Sequence, residues 1–83
     1  MEENNTQEYL TGLDNVCDTI NNIVAGNYIE TNIINPEPLT TIMKRQTDHV
    51  RFMQTYMVDT DLTTYSNIAT MGEQWILNNQ QEN

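Results

Sequence analysis

Apolar residues recur at steps of three and four positions in three separate segments of this 83-residue chain. Such spacing is the period of an α-helix that turns one face toward a core. We therefore predict an all-α fold of three helices, over about residues 6–25, 37–57 and 63–78. The stripes are Tyr9, Leu10, Leu13, Val16, Cys17, Ile20, Ile23 and Val24; Leu39, Ile42, Met43, Val50, Met53, Tyr56 and Met57; and Tyr65, Ile68, Ala69, Gly72, Trp75 and Ile76.

The segment between the first two stripes, residues 27–36, lacks this period and is predicted to be an extended linker. Gly26 follows the last periodic residue of the first stripe, a position at which glycine commonly ends a helix. Asn5 followed by Glu8 fits a capping box at the start of the same helix. Pro36 pushes the residue before it toward extended backbone, so the second helix is expected to begin close to this proline.

The second and third helices are predicted to form an antiparallel hairpin, because only the short polar segment 58–61 separates them. Thr63 is the predicted N-cap of the third helix, since its side chain can accept a hydrogen bond from a free backbone N–H. Ala69 and Gly72 are small residues three positions apart and permit a neighbouring helix to approach closely. Trp75 is expected in the core, where its replacement by alanine would be the most damaging single change.

Length and charge limit the classes of protein to which this chain can belong. Its 83 residues make one small domain, with polar tails at 1–5 and 79–83. Three Lys or Arg residues against twelve Asp or Glu residues give a net charge of −9, which argues against binding to nucleic acid or to an anionic membrane. The acidic N-terminus does not resemble a signal peptide, and no apolar run approaches membrane-spanning length. We therefore expect a soluble protein of the cytosolic type.

The residue types that bind metals or act as nucleophiles are too few to form a site. Cys17 is the only cysteine and lies on an apolar stripe, so we expect a buried structural thiol. His49 is the only histidine, and no second histidine or suitably spaced cysteine completes a metal site. We expect His49 at the edge of the core, bonded to a carboxylate or a backbone carbonyl. No catalytic, cofactor-binding or metal-binding residue and no small-molecule substrate are predicted.

The string DTDLT at residues 59–63 matches DxDxT, the nucleophile loop of aspartate-based phosphatases. That chemistry needs the first aspartate at the end of a buried parallel strand. Here a methionine-rich helix precedes the string, and the short remainder of the chain cannot supply a sheet. A calcium loop is also excluded, because Thr64 and Thr70 stand where glycine and a bidentate glutamate are required. We interpret the string as a polar turn with a helix cap.

Two further strings, MKRQTDHVRFM and DLTTYSNIATMGEQWI, carry a pattern that spans residues 39–77. The pattern resembles a helical hairpin in small virion and accessory proteins of tailed bacteriophages, although the family often has proline at the position of Thr64. The resemblance implies a small phage protein without catalytic residues, and His49 would fix the turn or cap the third helix. The residues to which it assigns a structural role in the hairpin are Asp48, His49, Asp61, Thr63, Gly72 and Trp75.

The linker is predicted to bind a partner through Tyr28, Ile29, Ile33 and Ile34. The three helical stripes cover one another, which leaves these side chains little core to enter. Contiguous exposed apolar side chains usually mark an interaction site. If residues 28–35 form a strand, its partner must be another chain. We expect the linker and both polar tails to contact other chains.

These inferences favour a non-enzymatic minor structural protein of a tailed-phage virion. It would be a small helical module that docks on other virion proteins of the capsid, neck or tail in multiple symmetric copies. It would reside in the virion, and in the host cytoplasm before assembly. The alternative is a small acidic phage protein that binds and masks a basic surface of a host protein inside the cell. Six acidic and no basic residues in segment 1–35 support this alternative.

Overall fold

The computed structural model describes residues 3–29, 34 and 36–80. Over this part, the chain forms three helices and no strand: α1 (Glu3–Ala25), α2 (Leu39–Tyr56) and α3 (Thr63–Gln80). The prediction of an all-α fold with three helices is confirmed. The helix ends differ from the prediction. Because α1 begins at Glu3, Asn5 lies inside the helix and not at its start. Because α3 continues to Gln80, the tail predicted from residue 79 begins inside a helix.

The three helices run up, down and up along the bundle. The ring of Tyr9 in α1 meets the ring of Tyr56 in α2, with 5.3 Å between their centroids. Tyr65 of α3 donates a hydrogen bond of 2.7 Å to Asp14 of α1. The beginning of α1 therefore lies beside the end of α2 and the beginning of α3. Each helix packs against both others, and α2 and α3 share the largest interface, as the predicted antiparallel hairpin requires.

The two connections lie at opposite ends of this bundle, which measures 48 Å along its longest axis. Residues 57–62 connect α2 to α3 at what we name the turn end, where α1 also begins. The end of α1 and the start of α2 lie at the opposite end, which we name the linker end. A surface at one end is therefore separate from a surface at the other.

The hydrophobic core draws on all three apolar stripes. Trp75 packs against this core but is itself only partly buried. The expectation that Trp75 lies within the core is wrong, because the buried line of α3 runs through Ala69, Gly72 and Ile76 and leaves the indole at its edge. The buried apolar side chains are Leu13, Cys17, Ile20, Ile23, Ile42, Met43, Val50, Met53, Met57, Leu62, Ala69 and Ile76.

Gly72 lies where all three helices meet. A Cβ atom added there would lie 2.8 Å from both Met43 Sδ and Thr47 Cγ2 of α2, and 3.1 Å from Ile20 Cγ2 of α1. These distances are shorter than ordinary van der Waals contacts, so only glycine fits without movement of its neighbours. The predicted close approach at this position is confirmed. The Thr47 hydroxyl is buried here and donates to the carbonyl of Lys44 at 3.1 Å, so its polarity is satisfied within α2.

Gly26 ends α1 as the sequence predicts. Its φ is +80°, a left-handed conformation that glycine adopts without the penalty of a Cβ atom. The N–H of Gly26 donates to the carbonyl of Ile23 at 3.1 Å, and the N–H of Asn27 donates to the carbonyl of Asn22 at 2.8 Å. This pair of bonds is a Schellman motif, which satisfies carbonyls that the helix end would otherwise leave free.

The start of α3 is capped by a different residue from the one predicted. Thr63 is already helical, and the carbonyl of Leu62 accepts a hydrogen bond of 2.8 Å from the N–H of Ser66. Asp61 Oδ1 accepts bonds from the Thr63 N–H at 3.0 Å and from the Thr63 hydroxyl at 2.6 Å. The assignment of Thr63 as N-cap is therefore wrong. The Asp61 carboxylate takes this role because an ionised acceptor makes stronger bonds than a hydroxyl.

Candidate protein-interaction site

The linker end presents two of the four side chains predicted to bind a partner. Ile29 is 79% exposed and Ile34 is 84% exposed. Tyr28 is half-buried and packs against the hydrophobic core, so it has more core to enter than the sequence suggests. Ile33 lies outside the described residues. Among these four positions, the exposed apolar surface therefore belongs to Ile29 and Ile34.

The turn end presents a second apolar surface, which the sequence did not predict. We name Tyr9, Phe52, Tyr56 and Val58 the aromatic patch. The ring of Tyr56 receives the Tyr9 ring edge-on, and it stacks on Phe52 with 6.3 Å between centroids. Phe52 is 61% exposed, Tyr56 is 56% exposed and Val58 is 75% exposed. The signal in the sequence was Phe52, which lies off the buried stripe through Val50 and Met53.

A hydrogen bond and ring contacts hold the aromatic patch together. The hydroxyls of Tyr9 and Tyr56 share a hydrogen bond of 3.2 Å. This bond to Tyr56 raises the pKa of Tyr9 above its ordinary value, and the nearby Glu8 carboxylate adds a smaller effect in the same direction. Tyr9 therefore remains neutral near pH 7. The rings restrain one another although they face solvent.

The DTDLT string forms the turn itself. Asp59 and Asp61 are both exposed, and Asp61 is engaged at the start of α3. Its hydrogen bonds with the hydroxyl and N–H of Thr63 hold the pKa of Asp61 below the ordinary value. A carboxylate held in this way acts as a helix cap, which agrees with the interpretation of the string as a polar turn with a cap.

The side chain of Arg51 joins α2 to α3. Its guanidinium donates to both carboxylate oxygens of Glu73 at 2.9 Å. It also donates to Ser66 at 2.9 Å, to Thr70 at 2.9 Å and to Gln54 at 2.8 Å. The pKa of Glu73 is lowered by Arg51, and that of Arg51 is raised by Glu73. From the sequence alone, the hydroxyl residues Ser66 and Thr70 of α3 would be assigned to an exposed face. Their contact with Arg51 is visible only in the folded structure.

Asp48 and His49 do not take the hairpin roles that the resemblance assigns. Asp48 forms an exposed ion pair with Lys44 at 3.0 Å, one turn away on α2. His49 is exposed, and its side chain makes no hydrogen bond with the described residues. The α3 cap comes from Asp61, so a capping role for His49 is wrong too. Of the six hairpin residues, Asp61, Thr63 and Gly72 lie at contacts that shape the hairpin.

All three Lys and Arg side chains of the chain are engaged in ion pairs. Lys44 pairs with Asp48, Arg45 with Glu37 at 2.9 Å, and Arg51 with Glu73 at 2.9 Å. Lys44 and Arg45 lie in the half of α2 nearer the linker end. Glu8, Asp59 and Asp61 lie at the turn end, and the guanidinium of Arg51, the residue before Phe52, is paired with Glu73. Charge is therefore distributed unevenly along the bundle.

Cys17 is the structural thiol that its place on the stripe predicts. It is buried, and burial together with the nearby Asp14 carboxylate raises its pKa to about 11. A thiol with this pKa stays protonated near neutral pH and is a poor nucleophile. Within the described ranges, no group of three or more His, Cys, Asp or Glu side chains is arranged to hold a metal ion.

Comparison of the chain with protein-family models, with curated proteins and with solved structures returned no match. None of the helices in the described part of the chain is long and apolar enough to cross a membrane. The candidate site is therefore defined by its own geometry: exposed isoleucines at the linker end and an aromatic patch in acidic surroundings at the turn end.

Proposed function

We propose that this protein is a non-enzymatic docking module, a minor structural protein of a tailed-phage virion that packs on other virion proteins in several symmetric copies. The observation that carries the proposal is the exposure of Ile29 and Ile34 at the linker end. Association that covers such side chains removes apolar surface from water and is favourable. The resemblance of residues 39–77 to small tailed-phage proteins supports the choice of assembly.

The side chains that could act in catalysis have structural roles in this fold, which supports a non-enzymatic function. Asp61 is engaged as a helix cap, and Cys17 is buried with a raised pKa. Arg51 is engaged with Glu73 and three further side chains between α2 and α3. A catalytic centre combines a nucleophile, a proton-transfer group and a stabiliser of developing charge around one cleft. In the described part of the chain, these groups instead serve as a helix cap, as part of the core and as the link between α2 and α3.

Mass spectrometry of purified virions tests the proposal. Particles of the phage that encodes the chain are separated on a density gradient, and their proteins are digested and quantified. We expect peptides of this protein at a constant ratio to the known structural proteins across the particle peak. Complete absence from the particles, with the protein abundant in the infected cell, would contradict a structural role.

Substitutions in the linker test the surface that carries the proposal. We expect the double change Ile29→Ser and Ile34→Ser to reduce incorporation into particles about tenfold, since two anchors of an apolar contact are lost. Leu77→Gln is the matched control, because Leu77 is an exposed apolar residue of α3. Equal incorporation of the linker variant and the control would show that the linker is not the docking surface.

A second candidate, the masking of a basic surface on a host protein, is supported by the ion pairs of the chain. Every Lys and Arg is paired with a carboxylate, so the remaining surface charge on the described helices is negative. Binding of this kind weakens as salt screens the charges. Recovery of the protein from infected cells in a salt-sensitive complex, and not from particles, would favour this candidate over the first.

A further inference from the structure

The aromatic patch borders a cleft at the turn end. The cleft has a volume of about 340 Å³ and lies between the start of α1 and the turn. Tyr9, Tyr56 and Val58 form its apolar wall, and Thr6, Asp59 and Thr60 form its polar rim. An apolar wall with a few polar groups is the composition of a site that accepts a side chain from a partner.

The fold does not account for the exposure of these side chains. Met53 and Met57 close the core beneath them and are buried, whereas Phe52, Tyr56 and Val58 are each more than half exposed. Tyrosine and other large aromatic residues are frequent anchors of protein interfaces. The mutual contacts of the three rings also restrain them before binding, so that association orders them at a lower entropy cost.

Charge around the patch selects the chemistry of its partner. Glu8 adjoins Tyr9 in α1, Asp59 lies on the rim of the cleft, and Asp61 belongs to the same turn. Arg51 precedes Phe52, but its guanidinium is paired with Glu73 on α3, and the other two basic residues lie nearer the linker end. A cation above an aromatic ring and beside a carboxylate is stabilised by both.

The same charges disfavour a second copy of this chain as the occupant. Two copies that met through the patch would bring Glu8, Asp59 and their counterparts together, in chains that each carry a net charge of −9. Like charges brought together across an interface oppose association. A basic partner would not meet this repulsion and would be attracted by the negative charge of the turn end.

We propose that the aromatic patch and its cleft bind a basic segment of a partner protein. An Arg or Lys side chain of that segment lies over the Tyr56 and Phe52 rings, with its charge toward Asp59. Neighbouring apolar side chains of the segment contact Val58 and Tyr9. The inference rests on the proposed role as a docking module and adds to it the chemistry of one partner. This surface lies at the end of the bundle opposite to Ile29 and Ile34.

Binding of synthetic peptides to the full chain tests the proposal. The probes are short peptides with leucine at the same positions and Arg, Glu or Ser at the others. Amide chemical shifts of the ¹⁵N-labelled protein give both the affinity and the residues affected. We expect the Arg peptide to shift the resonances of Tyr9, Phe52, Tyr56 and Val58, and the Glu and Ser peptides to leave them unchanged.

Variants separate the patch from general attraction to an acidic protein. We expect the double change Phe52→Ala and Tyr56→Ala to weaken binding of the Arg peptide about tenfold, since both cation–π partners are lost. Asp59→Asn, an isosteric change at an exposed turn position, is expected to weaken it about threefold. Leu77→Ala and Asp18→Asn remove an exposed apolar group and an exposed carboxylate elsewhere, and both are expected to bind within about twofold of the unchanged chain.

Several outcomes would overturn the inference. Equal weakening by Asp18→Asn and Asp59→Asn would show attraction to net charge alone, and equal binding of the three peptides would show a purely apolar surface. Shifts at the patch that depend on protein concentration without peptide would identify a second copy as the occupant. If virions contain the protein and the Arg peptide fails to bind, this inference is refuted and the proposed function stands. If the Arg peptide binds at the patch and virions lack the protein, the proposed function is refuted and the binding of a basic segment stands.

Discussion

The middle of the bundle and its turn end differ in the room that they leave for side chains. At Gly72 the three helices meet so closely that a single methyl group would lie 2.8 Å from two side chains of α2. At the turn end Phe52, Tyr56 and Val58 project large apolar groups into solvent. At Gly72 any larger side chain would clash and oppose folding. At the turn end the large side chains contribute little buried surface to the fold.

This difference separates residues that specify the fold from residues available for function. Packing at Gly72 positions α3 against α1 and α2 together, so a change there acts on stability. The aromatic patch rests on a core that Met53 and Met57 already close, so a change there acts mainly on binding. The following predictions, from the largest expected effect on stability to the smallest, test whether the two regions are independent.

Gly72→Ala is expected to have the largest effect. The added methyl group would meet Thr47 Cγ2 and Ile20 Cγ2, which belong to stiff β-branched side chains, so the helices must move apart. We expect the free energy of unfolding to fall by about 1–3 kcal/mol, measured by urea denaturation. Gly12→Ala is the matched control, because in the described part of the chain nothing besides the adjacent residues and the backbone of its own helix lies within 4 Å of the added methyl group. That change is expected to stabilise α1 by about 0.5–1 kcal/mol.

Similar destabilisation by both glycine changes would contradict a special role for the crossing at Gly72. Destabilisation by neither would show that Met43 and its neighbours can adapt, and the contrast with the turn end would then weaken. Peptide binding at the aromatic patch is expected to be unchanged in both variants, since neither glycine lies in the patch.

Glu73→Gln is expected to have a smaller effect that depends on pH. Arg51 lowers the pKa of Glu73 in the folded chain below its ordinary value of 4.5. The contribution of this carboxylate is therefore fully present above about pH 4.5 and is lost as pH falls through the lower, folded pKa. Because the pair is more than one-third exposed, we expect only about 0.5–1 kcal/mol at neutral pH. Thermal unfolding of both proteins between pH 3 and pH 7, at about half-unit intervals, measures the difference.

The Glu73→Gln protein is expected to lose less stability on acidification than the unchanged chain. Some dependence remains, because Arg45 lowers the pKa of Glu37, and Thr63 lowers that of Asp61. Asp18→Asn removes one exposed carboxylate from α1 and serves as the control for net charge. Parallel pH profiles for all three proteins would mean that the Arg51 network adds nothing to the hairpin.

Asp61→Ala is expected to lower the melting temperature by less than Gly72→Ala. The change removes the acceptor for the N–H and hydroxyl of Thr63 and leaves the start of α3 without this cap. Asp59→Ala removes a carboxylate two residues earlier and is expected to leave the melting temperature nearly unchanged. Circular dichroism follows both transitions. If the Asp59 and Asp61 variants melt together, the cap does not stabilise α3.

Phe52→Ala is expected to have the smallest effect on stability. The ring is exposed on α2 and contacts Tyr56, so its loss removes little buried surface. We expect a change in the free energy of unfolding within about 0.5 kcal/mol, measured by urea denaturation. A loss as large as that of Gly72→Ala would show that the patch is part of the core, and the distinction between the two regions would fail.

The regular features of the fold could be predicted because they depend on local physics. Apolar spacing predicts three helices, and the left-handed conformation available to Gly26 predicts the end of α1. The small size of Gly72 predicts a close approach of helices. What spacing cannot predict is rotation about a helix axis by a fraction of a turn. That rotation leaves Trp75 at the edge of the core and Tyr56 mostly exposed.

The sequence by itself determined the all-α class, the number of helices, the buried thiol of Cys17 and the excess of negative charge. Each follows from period, composition or a single residue type. Only the tertiary structure decided which polar groups meet, because residues far apart in the chain become neighbours only after packing. Arg51 meets Glu73 across the hairpin, and Tyr9 meets Tyr56 across the bundle, at sequence separations of 22 and 47 residues. The candidate site at the turn end exists for that reason.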